Sequence, residues 1–257
     1  MAASSPDIAL PVDKLSLEFI EKGGLSSSES KQKLYVVLVS TGSFNPPTYM
    51  HLRCFELARD ALSSKGFCVI GGYMSPVNDS YRKKGLIQAE HRIAMCYLAC
   101  KSSDFVMIDP WEASQSTYQP TLTVLSRVRN SLCQSEVILS ESLKVLLVCG
   151  SDLLESFSIP GFWVRDQVET ICRDFGLVCI RRGCQDVESI ISKDDTLNKY
   201  KEKYYNCGRS GIERDQFNQI EGLHFKGLSV KYLTADEVID YIKQNGLYME
   251  QNEDNPH

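Results

Sequence analysis

The sequence predicts an α/β fold, a doubly wound parallel sheet followed by a helical C-terminal part. Short apolar runs alternate along the chain with longer segments whose apolar residues recur at helical spacing. Such alternation is typical of strands joined by helices, and strands that are apolar on both faces indicate a parallel sheet. Polar, glycine-rich or aromatic residues follow each predicted strand, as expected where a ligand binds beyond the carboxyl ends of the strands.

The first strand and helix, residues 34–39 and 48–64, have the clearest pattern. The run LYVVLV is apolar, rich in valine, too short for a helix and closed by STG. After it, Phe55, Ala58 and Leu62 recur at helical spacing, and the same segment also contains Met50, Leu52, Leu57 and Ala61. We therefore expect a buried strand that leads into a helix through a turn of glycine, asparagine and proline.

The remaining elements follow in the same alternation. Further strands are predicted at residues 67–73, 105–108, 144–149 and 177–181. Further helices are predicted at residues 88–99, 121–131, part of 153–174, and 234–244. Residues 1–33 are rich in serine and weakly patterned, so we interpret them as a mobile N-terminal extension ahead of a domain at residues 34–257.

The composition excludes several classes of protein. With 43% hydrophobic and 24% charged residues among 257, the chain can bury a sizeable core. The net charge of −5 argues against nucleic-acid binding as the main function. No apolar run approaches the roughly 20 residues that span a bilayer, and no secretory signal is present, so we expect no membrane partner. The ten cysteines lack metal-site spacing and are typical of buried thiols in a reducing compartment, which predicts a nuclear or cytoplasmic location.

The turn between the first strand and helix, GSFNPPTYMH at residues 42–51, is the strongest candidate for a ligand site. Such a turn directs backbone N–H groups and the positive end of a helix dipole at one place, which suits a phosphate. Thr48 can cap the helix, which puts His51 in its first turn, where an imidazole can hydrogen-bond a phosphoryl oxygen. A histidine near a helix start is commonly structural on its own, but its combination with this turn is much rarer.

A second candidate is the loop SPVNDSYRKKGL, residues 75–86, which follows the second strand. Its adjacent cations Arg82, Lys83 and Lys84 can neutralise the oxygens of a triphosphate. A charge run of this kind is often only a solvated surface. Its position at the predicted ligand edge favours phosphate binding.

Two tryptophans, Trp111 and Trp163, lie in loops that lead to the same edge. A lone tryptophan is more often a core residue, but two on one rim can hold a flat cationic ring such as nicotinamide by stacking and cation–π attraction. Gly150 would let a ligand approach the backbone closely, and the carboxylate of Asp152 could accept hydrogen bonds from ribose hydroxyls. Capping of the next helix by Ser151 or Asp152 explains the same residues equally well.

These loops resemble those of a known family. The turn at residues 42–51 is similar to the T/H-x-x-H signature of the nucleotidylyltransferase superfamily, which transfers AMP or CMP to a phosphate acceptor. The blocks SPVNDSYRKKGL, DPWE, CGSDLLESF, FGLVCIRRG and GLSVKYLTADEVIDYIKQNGLY extend the resemblance to eukaryotic nicotinamide mononucleotide adenylyltransferases of plant type. The resemblance covers residues 34–203 and 227–248, and it implies a Rossmann-like nucleotidylyltransferase fold.

The resemblance also implies a reaction, in which ATP and nicotinamide mononucleotide give NAD and pyrophosphate. Mg²⁺ would be held mainly by the ATP phosphates, nicotinate mononucleotide could also serve, and the family suggests homo-oligomers. His51 and Lys84 would be the catalytic residues. ATP and the nucleotide would be bound by Gly42, Ser43, Phe44, His51, Lys83, Lys84, Gly150 and Asp152. The nicotinamide nucleotide would be bound by Trp111, Glu112 and Trp163.

One motif of the family is missing from the sequence. Members carry Ile-Ser-Ser-Thr-x-x-Arg, a phosphate clamp at a helix start, ahead of the stretch that matches GLSVKYL. Residues 204–226 show neither a Ser/Thr cluster nor strand alternation, and we interpret them as an atypical segment that replaces a strand and the clamp. The alternative function is therefore a catalytically impaired, nucleotide-binding variant of the family.

Two further alternatives involve other enzymes. A nucleotidylyltransferase with another acceptor is disfavoured by the two tryptophans and by the family-specific blocks. A hydride-transferring dinucleotide enzyme is disfavoured because G-x-G-x-x-G does not follow the first strand.

Overall fold

The computed structural model describes residues 8–18, 34–134, 138, 140–181, 185–207 and 228–248. The strands are β1 Tyr35–Gly42, β2 Cys68–Pro76, β3 Val106–Ile108, β4 Leu143–Gly150, β5 Leu177–Ile180 and β6 Tyr204–Cys207. The helices are α1 Tyr49–Ser63, α2 Ala89–Cys100, α3 Thr121–Gln134, α4 Ser151–Ser156, α5 Arg165–Thr170, α6 Val187–Lys193, α7 Asp195–Lys199 and α8 Asp236–Gln244. A π-helical turn, Ile171–Phe175, extends α5.

The described strands form one sheet in the order β3-β2-β1-β4-β5-β6, and every neighbouring pair is parallel. The order proceeds outward from β1 in both directions, so the chain reverses direction across the sheet between β1 and β4. This confirms the predicted doubly wound fold. It also places the topological switch point, where such folds bind ligands, at the carboxyl ends of β1 and β4.

The central strand β1 is buried on both faces, as its unbroken apolar run predicts. Val37 and Val39 pack in a cluster with α3 and α5, while Val36 and Leu38 pack in a second cluster with α1 and α2. All four side chains are fully buried. Successive residues of a strand point to opposite faces, so a continuous apolar run is what a sheet covered on both sides requires.

Each strand and helix that the sequence predicts is present, with ends shifted by a few residues. The structure adds β6 and the short helices α6 and α7, which the sequence analysis missed. β6 corrects the interpretation of residues 204–226 as a segment that replaces a strand, because Tyr204–Cys207 pairs in parallel with β5. The rest of that atypical segment, residues 208–226, lies outside the described residues.

Residues 8–17, which we call the N-terminal segment, belong to the extension predicted at residues 1–33 and pack against the rest of the domain. Leu15 is buried in the core, with 8% of its surface exposed. The hydroxyl of Tyr73 on β2 donates to the carbonyl of Pro11 at 2.8 Å. The Lys14 ammonium donates to the carbonyls of Cys100 and Ser103, both at 2.8 Å. The ammonium thus ties the N-terminal segment to the end of α2 and to the turn that follows it.

The helical C-terminal part packs against the start of the domain. Val238 and Ile242 of α8 form a small cluster with Met95 of α2. Thr234, just before α8, donates its hydroxyl hydrogen bond to the carbonyl of Pro47 at 2.8 Å. The C-terminal part therefore supports the turn between β1 and α1.

Two further findings concern the described residues taken together. No helix among the described residues is both long enough and apolar enough to cross a membrane. The cysteines that the structure describes are free thiols, and most of them are buried.

Candidate active site

The candidate site lies at the switch point, where β1 ends at Gly42 and β4 ends at Gly150. Gly42 is followed directly by a turn whose Phe44 ring folds back over it. A side chain at position 42 would begin only 3.3 Å from that ring, so glycine makes room for Phe44. Phe44 itself is buried and has a positive φ of 43°. We call this connection between β1 and α1 the first turn. Its buried ring and its positive φ indicate a compact loop with a fixed backbone.

Asn45 joins this turn to two other parts of the chain. Its amide donates to the carbonyl of Gly85 at 2.9 Å, and its carbonyl oxygen accepts from the amide of Ile87 at 3.2 Å. The same oxygen accepts from the hydroxyl of Tyr248 at 2.9 Å. Asn45 thus ties the first turn to the loop after β2 and to the C-terminal part, a role that the sequence analysis did not assign.

Thr48 caps α1, as predicted, and His51 completes the cap. The backbone amide of Thr48 donates to His51 Nδ1 at 2.9 Å, and the Thr48 hydroxyl accepts from the amide of His51 at 3.3 Å. This is a capping box in which histidine takes the usual place of glutamate or glutamine. Because Nδ1 accepts from a backbone N–H, the ring hydrogen of the neutral imidazole is on Nε2.

The His51 ring also meets the first turn edge-on, with its centroid 5.1 Å from that of Phe44. From the other side, Lys83 reaches the turn and donates to the Ser43 hydroxyl at 3.2 Å. The structure therefore brings together Ser43, Phe44, His51 and Lys83 in direct contacts. Lys84 is exposed on the same loop.

The buried cation Arg92 organises the surroundings of this group. Its side chain is 0% exposed and donates to the carbonyls of Ile87 at 2.9 Å, Ser43 at 3.1 Å and Val77 at 2.8 Å. It also forms an ion pair with Asp79 at 2.7 Å. Arg92 thus fixes the loops after β1 and β2 relative to α2.

Arg92 is not among the site residues predicted from the sequence, although the sequence contains a signal for it. Arg92, Met95, Cys96 and Ala99 have the spacing of one helix face, and the last three are apolar. A charged residue on an apolar helix face is rarely buried unless its hydrogen-bond donors are satisfied. The spacing could therefore have indicated a buried cation, but not the loop carbonyls that it contacts.

Trp111 follows β3 and is held by buried charges. Its backbone amide donates to Asp109 Oδ1 at 3.2 Å, and Asp109 Oδ2 accepts from Arg127 of α3 at 2.7 Å. The guanidinium of Arg127 lies over the Trp111 indole, 5.0 Å from its centroid. Burial raises the pKa of Asp109, and the neighbouring Arg127 opposes this shift.

Glu112 is buried rather than open to the rim, with 2% of its surface exposed. The hydroxyl of Ser75, at the end of β2, donates to Glu112 Oε2 at 3.4 Å. Burial raises the pKa of Glu112 to about 8; the hydrogen bond from Ser75 opposes the shift and the charge of Asp109 adds to it. Its predicted contact with a nicotinamide nucleotide stays a prediction.

On the β4 side, Gly150 is the N-cap of α4 and makes no side-chain cap. The alternative of capping by Ser151 or Asp152 is therefore wrong, since both residues lie inside the first turn of α4. The Ser151 hydroxyl instead donates to the side-chain oxygen of Gln185 at 2.5 Å. Gly150 and Asp152 thus lie at the carboxyl edge of the sheet, at the start of a helix.

Trp163 lies in the loop between α4 and α5. Its Nε1 donates to the hydroxyl of Ser156 at 3.0 Å, and its ring meets Phe157 edge-on at 4.8 Å. Trp111 and Trp163 pack against the same core cluster. Each tryptophan thus has an apolar support and a polar anchor in its own loop.

No group of three or more histidine, cysteine, aspartate or glutamate side chains in the described part of the chain could hold a metal ion. The charges beside the first turn come instead from Lys83 and Arg92, and Lys84 is exposed next to Lys83 on the same loop. Such a set, with the amides at the start of α1, suits phosphate groups.

Comparisons with known proteins indicate the family to which the chain belongs. Residues 39–223 match the model of the cytidylyltransferase-like family. Nicotinamide/nicotinic acid mononucleotide adenylyltransferase of Arabidopsis thaliana is 58% identical over 95% of this chain and 99% of its own length. The chain belongs to this family of adenylyltransferases. Its members are enzymes, and so is this chain.

Further members of the adenylyltransferase family agree. The rice protein of the same name is 51% identical, over 95% of both chains, and a bovine member is 34% identical, over 88% of this chain and 93% of its own length. The solved nicotinic acid mononucleotide adenylyltransferase of Plasmodium falciparum, complexed with NaAD, has a TM-score of 0.56 and 20% identity. It covers 83% of this chain and 97% of its own, and at this identity it shows the fold. These comparisons give no support to a catalytically impaired variant.

Proposed function

We propose that this chain joins ATP and nicotinamide mononucleotide to give NAD and pyrophosphate, and that it also accepts nicotinate mononucleotide. The observation that carries the proposal is the group at the start of α1. There His51, held by Thr48, lies beside the turn that Lys83 contacts through Ser43. The proposal also rests on the names of relatives that share more than half of the sequence.

The chemistry needs no nucleophile from the protein. The 5′-phosphate oxygen of the mononucleotide forms a bond to the α-phosphorus of ATP, and the bond from that phosphorus to the bridging oxygen of the β-phosphate breaks. Catalysis of this kind depends on positioning the reactants and stabilising charge. In our proposal the Nε2 hydrogen of His51 donates to a phosphate oxygen, while Lys83 and Lys84 neutralise the departing pyrophosphate.

Both nucleosides would bind at the carboxyl edge of the sheet, beside the switch point. Trp111 and Trp163 would hold the pyridine ring, with Glu112 behind Trp111. Gly150 and Asp152 would hold the adenosine. The remaining nucleotide contacts would come from Gly42, Ser43 and Phe44 in the first turn.

Mg²⁺ fits this site as an ion that binds together with ATP, through the phosphate oxygens. Carboxylate-poor and lysine-rich surroundings suit a cation that enters already bound to phosphate oxygens, as Mg²⁺ commonly does. When bound, the ion would neutralise phosphate charge. The protein would contribute the amides of the first turn and the two lysines of the loop.

The test is NAD formation by the full chain with ATP, Mg²⁺ and either mononucleotide, beside the variant His51→Ala. We expect the chain to form the dinucleotide and the variant to lose at least about a hundredfold in rate, as for loss of a group that stabilises developing charge. A folded chain that binds ATP but forms no dinucleotide would overturn the proposal in favour of the impaired variant.

We also propose that the chain assembles into homo-oligomers, as the family likeness suggests, and acts in the nucleus or cytoplasm, as its cysteine content suggests. Light scattering on the purified chain and imaging of a fluorescent fusion would test these two points. A monomer at assay concentration, or a fusion retained in another compartment, would contradict them.

A further inference from the structure

Arg127 joins three parts of the molecule that are distant in sequence. Its Nη1 donates to Asp109 at 2.7 Å, and its Nη2 donates to the carbonyl of Ile8 in the N-terminal segment. The face of the same guanidinium lies over the indole of Trp111. The side chains of Arg127 and Asp109 are only 14% and 0% exposed. A planar guanidinium can make these contacts at once, whereas an ammonium cannot.

We propose that Arg127 is a positioning residue that fixes the Trp111 indole for the pyridine ring of the mononucleotide. The proposal rests on the proposed function, in which Trp111 holds that ring. Arg127 acts through Trp111 and needs no contact with the substrate.

The physical reason is that Trp111 is held at two points. One carboxylate oxygen of Asp109 accepts from the backbone amide of Trp111, and the other accepts from Arg127. Arg127 in turn lies over the indole, 5.0 Å from its centroid, and this cation–π contact restrains the orientation of the ring. Without Arg127 the indole could turn about its side-chain bonds, and binding would have to order it first.

The N-terminal segment contributes to the same site from a distance. The carbonyl of Ile8 keeps its place because the segment is anchored further along. Lys14 is bonded to carbonyls at the end of α2, and Leu15 fills a space in the core beside Gly71. A change that loosens these anchors should therefore reach the pyridine site through Arg127.

The structure offers a close control for Arg127. Arg129 lies on the same helix, and its guanidinium also covers an aromatic ring, that of Phe175 at 4.6 Å. Phe175 ends the π-helical turn. Arg127→Met and Arg129→Met thus remove the same side chain and the same kind of contact, but only the first touches Trp111.

The first measurement is steady-state kinetics of the full chain. We expect Arg127→Met to raise KM for nicotinamide mononucleotide about tenfold while KM for ATP stays within about twofold. Arg127→Lys should recover part of the loss, and Arg129→Met should change neither constant. An equal rise in both constants, or no rise in a folded Arg127→Met chain, would overturn the proposal.

The second measurement requires no enzymatic activity and reports the solvent accessibility of the Trp111 indole directly. With Trp163→Phe as background, Trp111 is the only tryptophan, and acrylamide quenching reports its accessibility. We expect faster quenching in Arg127→Met, and a smaller increase in Lys14→Met. Unchanged quenching in both would overturn the proposal, whereas failure of the wild-type chain to form NAD would overturn only the proposed function.

Discussion

The guanidinium of Arg92 reaches the first turn, the loop after β2 and the start of α2 at once. Its partners are backbone carbonyls and one carboxylate, so each donor that it buries is matched. A group of this kind is not predicted by residue type, because arginine is usually exposed. His51 and Lys83 were predictable, because their places follow from a turn and a loop that are local in sequence. The partners of Arg92 and Arg127 depend on loops that only the fold brings together.

A first prediction separates the two roles of His51. Glutamine at this position can complete the capping box, since it is one of the usual residues there. It cannot offer an imidazole to a phosphate. We expect His51→Gln to keep the free energy of unfolding within about 0.5 kcal/mol and to lose at least about a hundredfold in NAD formation.

The control for this experiment is Thr48→Ala, which removes the cap and keeps the imidazole. It should lower the free energy of unfolding by about 1 kcal/mol. Wild-type turnover in His51→Gln would mean that the histidine serves only the helix.

A second prediction concerns pH and Glu112. Its pKa is raised from the ordinary 4.5 to about 8 in the folded chain. Between these two values the unfolded chain has lost the proton that the folded chain keeps, so the free energy of unfolding falls as pH rises. Glutamine cannot ionise. We therefore expect the stability of Glu112→Gln relative to wild type to increase from pH 5 to pH 8, as measured by urea unfolding.

The charged groups that act on Glu112 are Asp109 and Arg92, and both stay in place in the variant. The matched control is Glu90→Gln, since the Glu90 side chain is 76% exposed at the start of α2. Its stability difference from wild type should not change with pH. A difference that is also constant for Glu112→Gln would show that Glu112 is ionised in the folded chain.

Among the elements, the strands and helices of the βαβ units were predictable because their apolar patterns are long and regular. β6 was not, because its four residues form a strand only through pairing with β5, which is remote in sequence. The short helices α6 and α7 had a local signal, since Asp186 and Asp194 cap them with their side chains. The N-terminal segment had none, because its order comes from the strand beneath it.

A third prediction tests how the N-terminal segment meets β2. An alanine Cβ at position 71 would lie 2.3 Å from Leu15 Cδ2. We expect Gly71→Ala to lower the free energy of unfolding by about 1–3 kcal/mol, because the core is overpacked there. The cost should largely vanish in a Leu15→Ala background, which unfolding in urea would measure as a coupling energy.

Gly72→Ala provides the control. Its Cβ would meet the ring of Phe55 at 2.9 Å on the opposite face of the sheet. Leu15→Ala should not rescue it. Additive effects of Gly71→Ala and Leu15→Ala would mean that the segment does not occupy this space.

For the whole molecule, the general rule for open parallel sheets was enough to predict where the site lies. The order of the strands puts the ends of β1 and β4 at the reversal point, and the first turn lies there. What the rule does not give is the support from residues near both ends of the chain. Tyr248 and Ile8 reach the site region through single hydrogen bonds whose partners no local pattern indicates.

A fourth prediction concerns the cysteines of the whole chain. Burial raises the pKa of Cys100 to about 12 and that of Cys172 to about 11, so few thiolates are present at neutral pH. We expect an aromatic disulfide reagent to label the native chain slowly and incompletely, and to label all ten cysteines after unfolding in urea. A reductant should leave the Tm unchanged, and a lower Tm in its presence would reveal a disulfide.

The bond between Tyr248 and Asn45 spans 203 positions, and that between Thr234 and Pro47 spans 187. During synthesis the residues of the first turn leave the ribosome long before the residues that brace them. Domains generally fold as units, and here the bracing residues are made after all six described strands of the sheet. We therefore expect a nascent chain, or a chain truncated before residue 234, to bind ATP weakly. Synthesis of residues 234–248 would then be the step that makes the nucleotide site competent, and ATP binding by chains truncated before residue 234 would measure it.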